Sequence, residues 1–311
     1  MNTTQTSDPN ALAARKPSFL SDKVIGISIS ESPDMEQRGL GPMHLNDAMV
    51  EFARYLLTGG ATLAYGGDLR KDGFTEILFE LVKTHNRQGK PPYERIINFL
   101  AWPIHLKLTT SQKAELKKVA LFKPLNPPDY LDVNKTEYIK PDSIVNRYIW
   151  ARCLSSMRKE MNQSIQARII LGGKVTKYSG KYPGLAEEAL LALQANTPLY
   201  LIGGFGGCTY TVIQALLGKQ PEELTLASQI AANDAYGDLV DYYNDQIQSL
   251  PQEYQDSINY EWLVDFFNQK GIQGLNNGLN EDDNKRLFKT IHIPEIISLV
   301  LKGLSKLLTF R

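Results

Sequence analysis

From Lys23 to Gly204 the chain repeats one pattern: a short apolar, often β-branched run, closed by glycine or a polar turn, and then a longer segment with helical spacing. The runs are "KVIGISIS", "ATLAYGGD", "RIINFLA", "ARIIL" and "PLYLIG". Each has the length of a strand, and the connections between them are short. Strand, helix, strand with short connections folds as a parallel sheet with right-handed crossovers. The expected class is therefore α/β.

The helices follow from periodicity. Leu45, Met49, Phe52, Ala53 and Leu56 recur at helical spacing between Met43 and Leu57, and Gly59-Gly60 supply a stop. A second helix is expected from Phe74 to about Thr84. The stretch from Trp102 to Asp142 is irregular. It holds one amphipathic helix, Ser111 to Val119, and "FKPLNPPDYLD" is too proline-rich for a regular element. A long helix from about Ser143 to Gln166 carries Arg147, Arg152, Arg158 and Lys159. "GLAEEALLALQA" is a helix opened by Pro183, whose missing N–H costs nothing at a helix start. Another helix runs from about Cys208 to Leu217. Residues 221–311 read mostly as helices, ending in "IPEIISLVLKGLSKLLTF". The expected organisation is a flexible arm over residues 1–20, an α/β domain over 21–220, and a helical extension over 221–311 packed on that domain.

Composition narrows the function classes. Over 311 residues, 42% are hydrophobic, enough for a sizeable core. Thirty-four basic residues balance thirty-four acidic ones, so net charge favours neither nucleic acid nor an anionic membrane. Cys153 and Cys208 make neither a disulfide framework nor a zinc site, which points to a reducing compartment. His44, His85, His105 and His292 are scattered and read as surface or cap residues, and no metal is expected. No apolar leader or membrane-length run occurs, so a cytoplasmic location is expected.

In an open parallel sheet, ligands bind beyond the carboxyl ends of the strands. Those ends carry Ser28, Ser30 and Glu31; Gly66, Gly67 and Asp68; Gly172 and Gly173; and Gly203, Gly204 and Gly206. Glycines admit close backbone approach, and the following helix N-termini favour an anion. "GGFGG" is not the dinucleotide fingerprint G-x-G-x-x-G, and neither a P-loop nor a G-x-S-x-G elbow is present.

The stretch "MRKEMNQSIQARIILGG…YPGLAEEALLAL" resembles the core of the Lonely Guy (lysine-decarboxylase-like) phosphoribohydrolases. Arg158-Lys159 and Met161 match that family's helix, Ala167 to Leu171 its strand, Gly172-Gly173 its glycine loop, and Glu187-Glu188 its next helix start. The broader grouping is the SLOG superfamily, and "GISISESPD…HLNDAMVEFARYLLTGGATLAYGGDLR" is similar to the opening of its sensor-type branch. The resemblance covers about residues 23–217. It implies a Rossmann-like, mostly parallel sheet with helices on both faces, and a nucleotide or NAD-derived ligand such as ADP-ribose. One departure stands out: the compact Pro-Gly-Gly-x-Gly-Thr loop is replaced by an insert, Lys174 to Tyr182, with Gly184-Leu185 where Gly-Thr would be.

On this reading Gly172, Gly173 and Gly184 bring backbone to phosphate and ribose. Arg158, Lys174 and Lys177 neutralise phosphate charge, and Arg152 is a further ligand-binding candidate. Arg158 is expected to be replaceable with little change in fold stability. Glu188, with Glu187 adjacent, either accepts from ribose hydroxyls or acts as a general base. Two functions stand together: a ligand-binding sensor in bacterial signalling or antiviral conflict, and a nucleotide N-glycosidase using Glu188, Glu187 and Arg158. A nucleic-acid-processing role is disfavoured. The expected partners are the small molecule and further copies of this chain, with no membrane and no separate cofactor.

Overall fold

A computed structural model of the chain describes residues 18–66, 81, 95–118 and 120–309. Gly67 and Asp68 lie outside these residues, as do the N-terminal arm up to residue 17 and most of the helix expected from Phe74. Leu81, from that stretch, is helical and packs on the core.

Among the described residues, six strands form one all-parallel sheet: β1 (Val24–Ser30), β2 (Thr62–Gly66), β3 (Ile96–Leu100), β4 (Leu121–Pro124), β5 (Ala167–Gly172) and β6 (Leu199–Ile202). The order across the sheet is β4-β3-β2-β1-β5-β6. The chain works outward from β1 to β4, then returns to the other side of β1 to lay down β5. Ser30 lies opposite Gly172 in that pairing, so the reversal of direction falls between the carboxyl ends of β1 and β5. A crevice must open there, because the connections leave the two strands toward opposite sides.

β4 departs from the sequence reading, which gave Phe122–Pro124 to an irregular segment. Among the described residues these pair only with β3, at the sheet edge, and Leu125 N–H still donates to Leu100 O at 2.9 Å. Proline is tolerated there because no further strand needs its missing donor.

Helices cover both faces. On one face α1 (Pro42–Thr58) places Leu45, Met49, Phe52 and Leu56 against Ile25, Ile27 and Leu63. α2 (Thr110–Leu116) is a short helix between β3 and β4, while on the other face α3 (Ile144–Gln163) and α4 (Gly184–Gln194) carry the main cover. Ser143 caps α3, its hydroxyl accepting from Asn146 N–H at 3.2 Å. α5 (Gly207–Leu216) follows β6 on the same face.

The C-terminal helices divide between the faces. α6 (Leu226–Ala232), α7 (Ala235–Gln246) and α8 (Tyr260–Lys270) form an outer layer over α3 to α5. After α9 (Glu281–Leu287), α10 (Ile293–Leu308) crosses to the first face and packs beside α1. Tyr200 of β6 ties this return down, donating to Asn277 O at 2.7 Å. Among the described residues no helix is long and apolar enough to cross a membrane.

Gly203 and Gly204 follow β6, and their lack of side chains admits the returning chain: a Cβ on Gly203 would collide with Phe288 O, and one on Gly204 with Thr290 O. Gly203→Ala should therefore lower stability by about 1–3 kcal/mol, the usual cost of overpacking. The measurement is the urea midpoint at constant m-value. An unchanged midpoint would mean that the segment around Phe288 can move aside, against the packing described.

Candidate functional site

Beside the reversal point, over β1 and β2, lies a cleft of about 230 Å³. Ser28 and Ser30 of β1, Tyr65 and Gly66 of β2, Arg158 of α3 and Glu188 of α4 line it. The insert between β5 and α4 adds Lys174, Lys177 and Tyr178, and Gly184 opens the far side.

Beneath the cleft lies a buried ionic cluster. Ser155 and Arg158, three residues apart on α3, share a helix face and both donate to the Glu187 carboxylate. Ser28 and Arg168 lie on the same face of adjacent strands, and both donate to Glu188 Oε2. Arg168 Nη1 also donates to Ser28 Oγ at 2.9 Å, and Arg158 Nε lies 3.7 Å from Glu188 Oε1. Two arginines thus balance two glutamates. Burial pushes the Arg168 guanidinium down from its ordinary value, opposed chiefly by Glu188. Its Nε and Nη2 are buried without partners.

Gly180 and Gly184 admit the Arg158 head group, since a Cβ on either would sit 2.9 Å from one of its terminal nitrogens. Arg158 is therefore paired, not a free helix cation. Replacing it would strand Glu187 in the interior at a cost of about 3–5 kcal/mol, so the expectation of little change in fold stability fails on that ion pair.

The other expected residues divide. Lys174 and Lys177 are exposed at the cleft mouth, and neither has an ion-pair partner among the described residues. Lys177 holds a left-handed backbone (φ 55°), which costs a non-glycine residue of order 1 kcal/mol. Gly172 and Gly173 also have left-handed φ, but a Cβ there would strike Ser30 O and the Leu185 side chain. Their role in the structure is to let β1, β5 and α4 meet closely. Glu31 is exposed at the end of β1 and does not line the cleft.

Gly206 leads into α5, where an anion was expected. The helix N-terminus is already met by the chain's own Asp34, which accepts from Gly207 N–H at 2.8 Å and pairs with Arg38 at 2.7 Å. Arg152 lies outside the cleft lining and is buried. Its guanidinium donates to Tyr130 Oη, Tyr243 Oη, Asp256 and Tyr254 O.

Sequence reasoning missed Arg168, Ser155 and Asp256. Arg168 had a signal: it is the one charged residue in the otherwise apolar run "ARIIL". Asp256 had none, because its partners Arg152, Lys159 and Lys181 come from distant segments.

No group of three or more His, Cys, Asp or Glu that could hold a metal occurs among the described residues. Cys153 and Cys208 are free and buried, and burial pushes both thiols up to about 12, which removes them as nucleophiles at neutral pH. His44 serves as a helix cap, its Nδ1 accepting from Gly41 N–H at 2.9 Å.

A family model described as SLOG cluster2 matches residues 19–287. The chain belongs to that family. Membership gives this SLOG cluster2 protein a nucleotide-related, Rossmann-like domain. Among solved structures, the crystal structure of TM1055, a structural genomics target, is similar at 18% identity and a TM-score of 0.37. The match covers 62% of this chain and 81% of that one. No curated protein matches significantly.

Asp256 gives a pH prediction for this SLOG cluster2 protein. Burial pushes its carboxyl up, but Lys181, Lys159 and Arg152 outweigh that and leave it below its ordinary value. A carboxylate with a lowered folded pKa stabilises above its unfolded value of about 4 and loses that contribution as pH falls through the folded value. Thermal stability should fall between about pH 5 and 3 in the parent and fall less steeply in Asp256→Asn, which should also be less stable at pH 7. Equal acid slopes would remove Asp256 from the account.

Proposed function

We propose that this protein binds a phosphate-bearing nucleotide, of the NAD-derived ADP-ribose type, in the cleft between β1, β2 and the insert, and acts as a sensor of it in bacterial signalling or antiviral conflict. The observation that carries the reading is the pair of unpartnered cations at the mouth, Lys174 and Lys177, over a floor of Ser28, Ser30 and Glu188. Lysines in this setting attract phosphate as point charges, and the Ser30 hydroxyl and the remaining lone pairs of Glu188 suit ribose hydroxyls.

Size refines the proposal. Small-molecule pockets usually span about 300–1,000 Å³, and this cleft is smaller, about 230 Å³. It suits one ribose-phosphate unit, with the rest of the ligand on the adjoining surface.

The second reading, an N-glycosidase, draws on the place of Glu188 in the cleft lining. A general base needs a lone pair directed at the reacting bond. Glu188 Oε2 already accepts from Ser28 and Arg168, and Oε1 lies near Arg158. That occupancy favours binding over turnover.

The test is calorimetric titration with ADP-ribose, AMP and NAD, alongside chromatography for released base. At least one ligand should bind saturably with no free adenine or nicotinamide. Lys174→Ala/Lys177→Ala should weaken that binding by about 1.5–3 kcal/mol per lost charged bond while leaving thermal stability unchanged, since both lysines are exposed. Steady release of base by the parent would replace the sensor with the glycosidase. Unaltered affinity in the double variant would place the ligand elsewhere.

A further inference from the structure

A second cluster of charge gathers around Arg152 and Lys159 of α3. Asp256, in the segment joining α7 to α8, accepts from Arg152 Nη1 at 2.6 Å and Lys181 Nζ at 2.8 Å, with Lys159 Nζ at 3.5 Å. Three cations share one carboxylate, so the group carries excess positive charge. Arg152 has no spare donor of consequence, because its nitrogens also bond Tyr130, Tyr243 and Tyr254 O. Lys181 and Lys159 differ. Asp256 is the only acceptor either ammonium meets among the described residues, and each ammonium has three donors.

These two ammonium groups face a groove of about 460 Å³, bounded by α4 and α8, whose lining also includes Asp256 itself, Gln194, Gln255, Asn259 and Trp262. It is larger than the cleft at the strand ends and within the usual range for small molecules. Trp262 stands at its rim, 46% exposed, stacked on Phe266 at 5.4 Å. An exposed indole held in place by a second ring is a platform for another flat ring. The Gln194 amide can both donate and accept. Asn259 Oδ1 already accepts from Trp262 N–H at 2.9 Å and Gln255 Nε2 donates to Leu250 O at 2.8 Å, which leaves the Asn259 nitrogen as a donor and the Gln255 oxygen as an acceptor.

We propose that this groove is a second ligand site, distinct from the strand-end cleft, which takes a free nucleotide: phosphate on Lys159 and Lys181, base against Trp262. The two sites share a wall. Glu187 lines the groove, and its partner Arg158 lines the cleft. The site does not depend on what the cleft binds.

Trp262 is also the reporter, because Trp102 and Trp150 are buried. Titration of the full chain with ADP should quench tryptophan emission saturably, and Trp262→Phe should abolish the quench. Lys159→Gln, a change at a half-exposed side chain, should raise the ADP dissociation constant about tenfold, the loss of one charged bond. Inorganic phosphate should compete with ADP without quenching. Lys174→Ala/Lys177→Ala should leave the titration unchanged. The proposal is overturned by the absence of a saturable quench at millimolar ADP, by Lys159→Gln binding as the parent does, or by loss of the quench in the cleft double variant, which would place ADP in the cleft. Quenching by a single-stranded oligonucleotide and not by ADP would also overturn it.

Discussion

The double ion pair of Arg158 with Glu187 and Arg168 with Glu188 is the contact on which the cleft depends. It joins three elements that the hydrophobic core alone would leave free to slide: α3 through Ser155 and Arg158, α4 through both glutamates, and the sheet through Ser28 and Arg168. Charges this deep are costly unless paired, and their pairing is directional where apolar packing is not. The start of α4 is therefore fixed relative to the end of β1. Because Gly173 is held at the other end by its N–H donating to Ser30 O at 2.8 Å, both ends of the Lys174–Tyr182 insert are set. The cleft is the space left between them.

Much of this was legible in the sequence, for identifiable reasons. The strands announce themselves as apolar runs with polar stops, and the parallel order follows from the helices between them. The strand-end rule points to Ser28, Ser30 and Gly66, and the departure from the resembled family's loop points to the insert; these residues line one cleft. Roles were harder to read than places. Gly172, Gly173, Gly203 and Gly204 look alike as glycines that admit a ligand and as glycines that admit backbone, and the structure uses them for backbone. Arg152, Arg158 and Lys159 sit on one helix with equal claims on a phosphate. Their partners, Asp256 and Glu187, lie far along the chain, and only the fold assigns them.

Charge placement explains why a neutral chain can still present a cationic mouth. Arg158, Arg168 and Arg152 have acidic partners in the interior, and the start of α5 is met by Asp34. Balancing at these sites leaves Lys174 and Lys177 uncompensated at the surface. An overall charge of zero therefore says little about the local field at the cleft, which is set by which cations the fold leaves unpaired.

The wall that carries those lysines is held from behind. Tyr178 of the insert bonds Tyr260 of α8 at 2.5 Å, Tyr260 bonds Tyr236 of α7 at 2.9 Å, and Tyr236 donates back to Lys181 O. Next in the insert, Tyr182 accepts from Asn259 N–H at 2.9 Å. Burial pushes all four phenols up, so they stay neutral and can donate across the working pH range. A wall built this way would lose little backbone entropy on binding a ligand, because ordering has already been supplied by folding. What remains to be ordered is the lysine side chains themselves. The C-terminal helices thus belong to the cleft's construction although none of their residues line it, and a truncation that removed α7 and α8 would leave the insert, and the two lysines with it, without support.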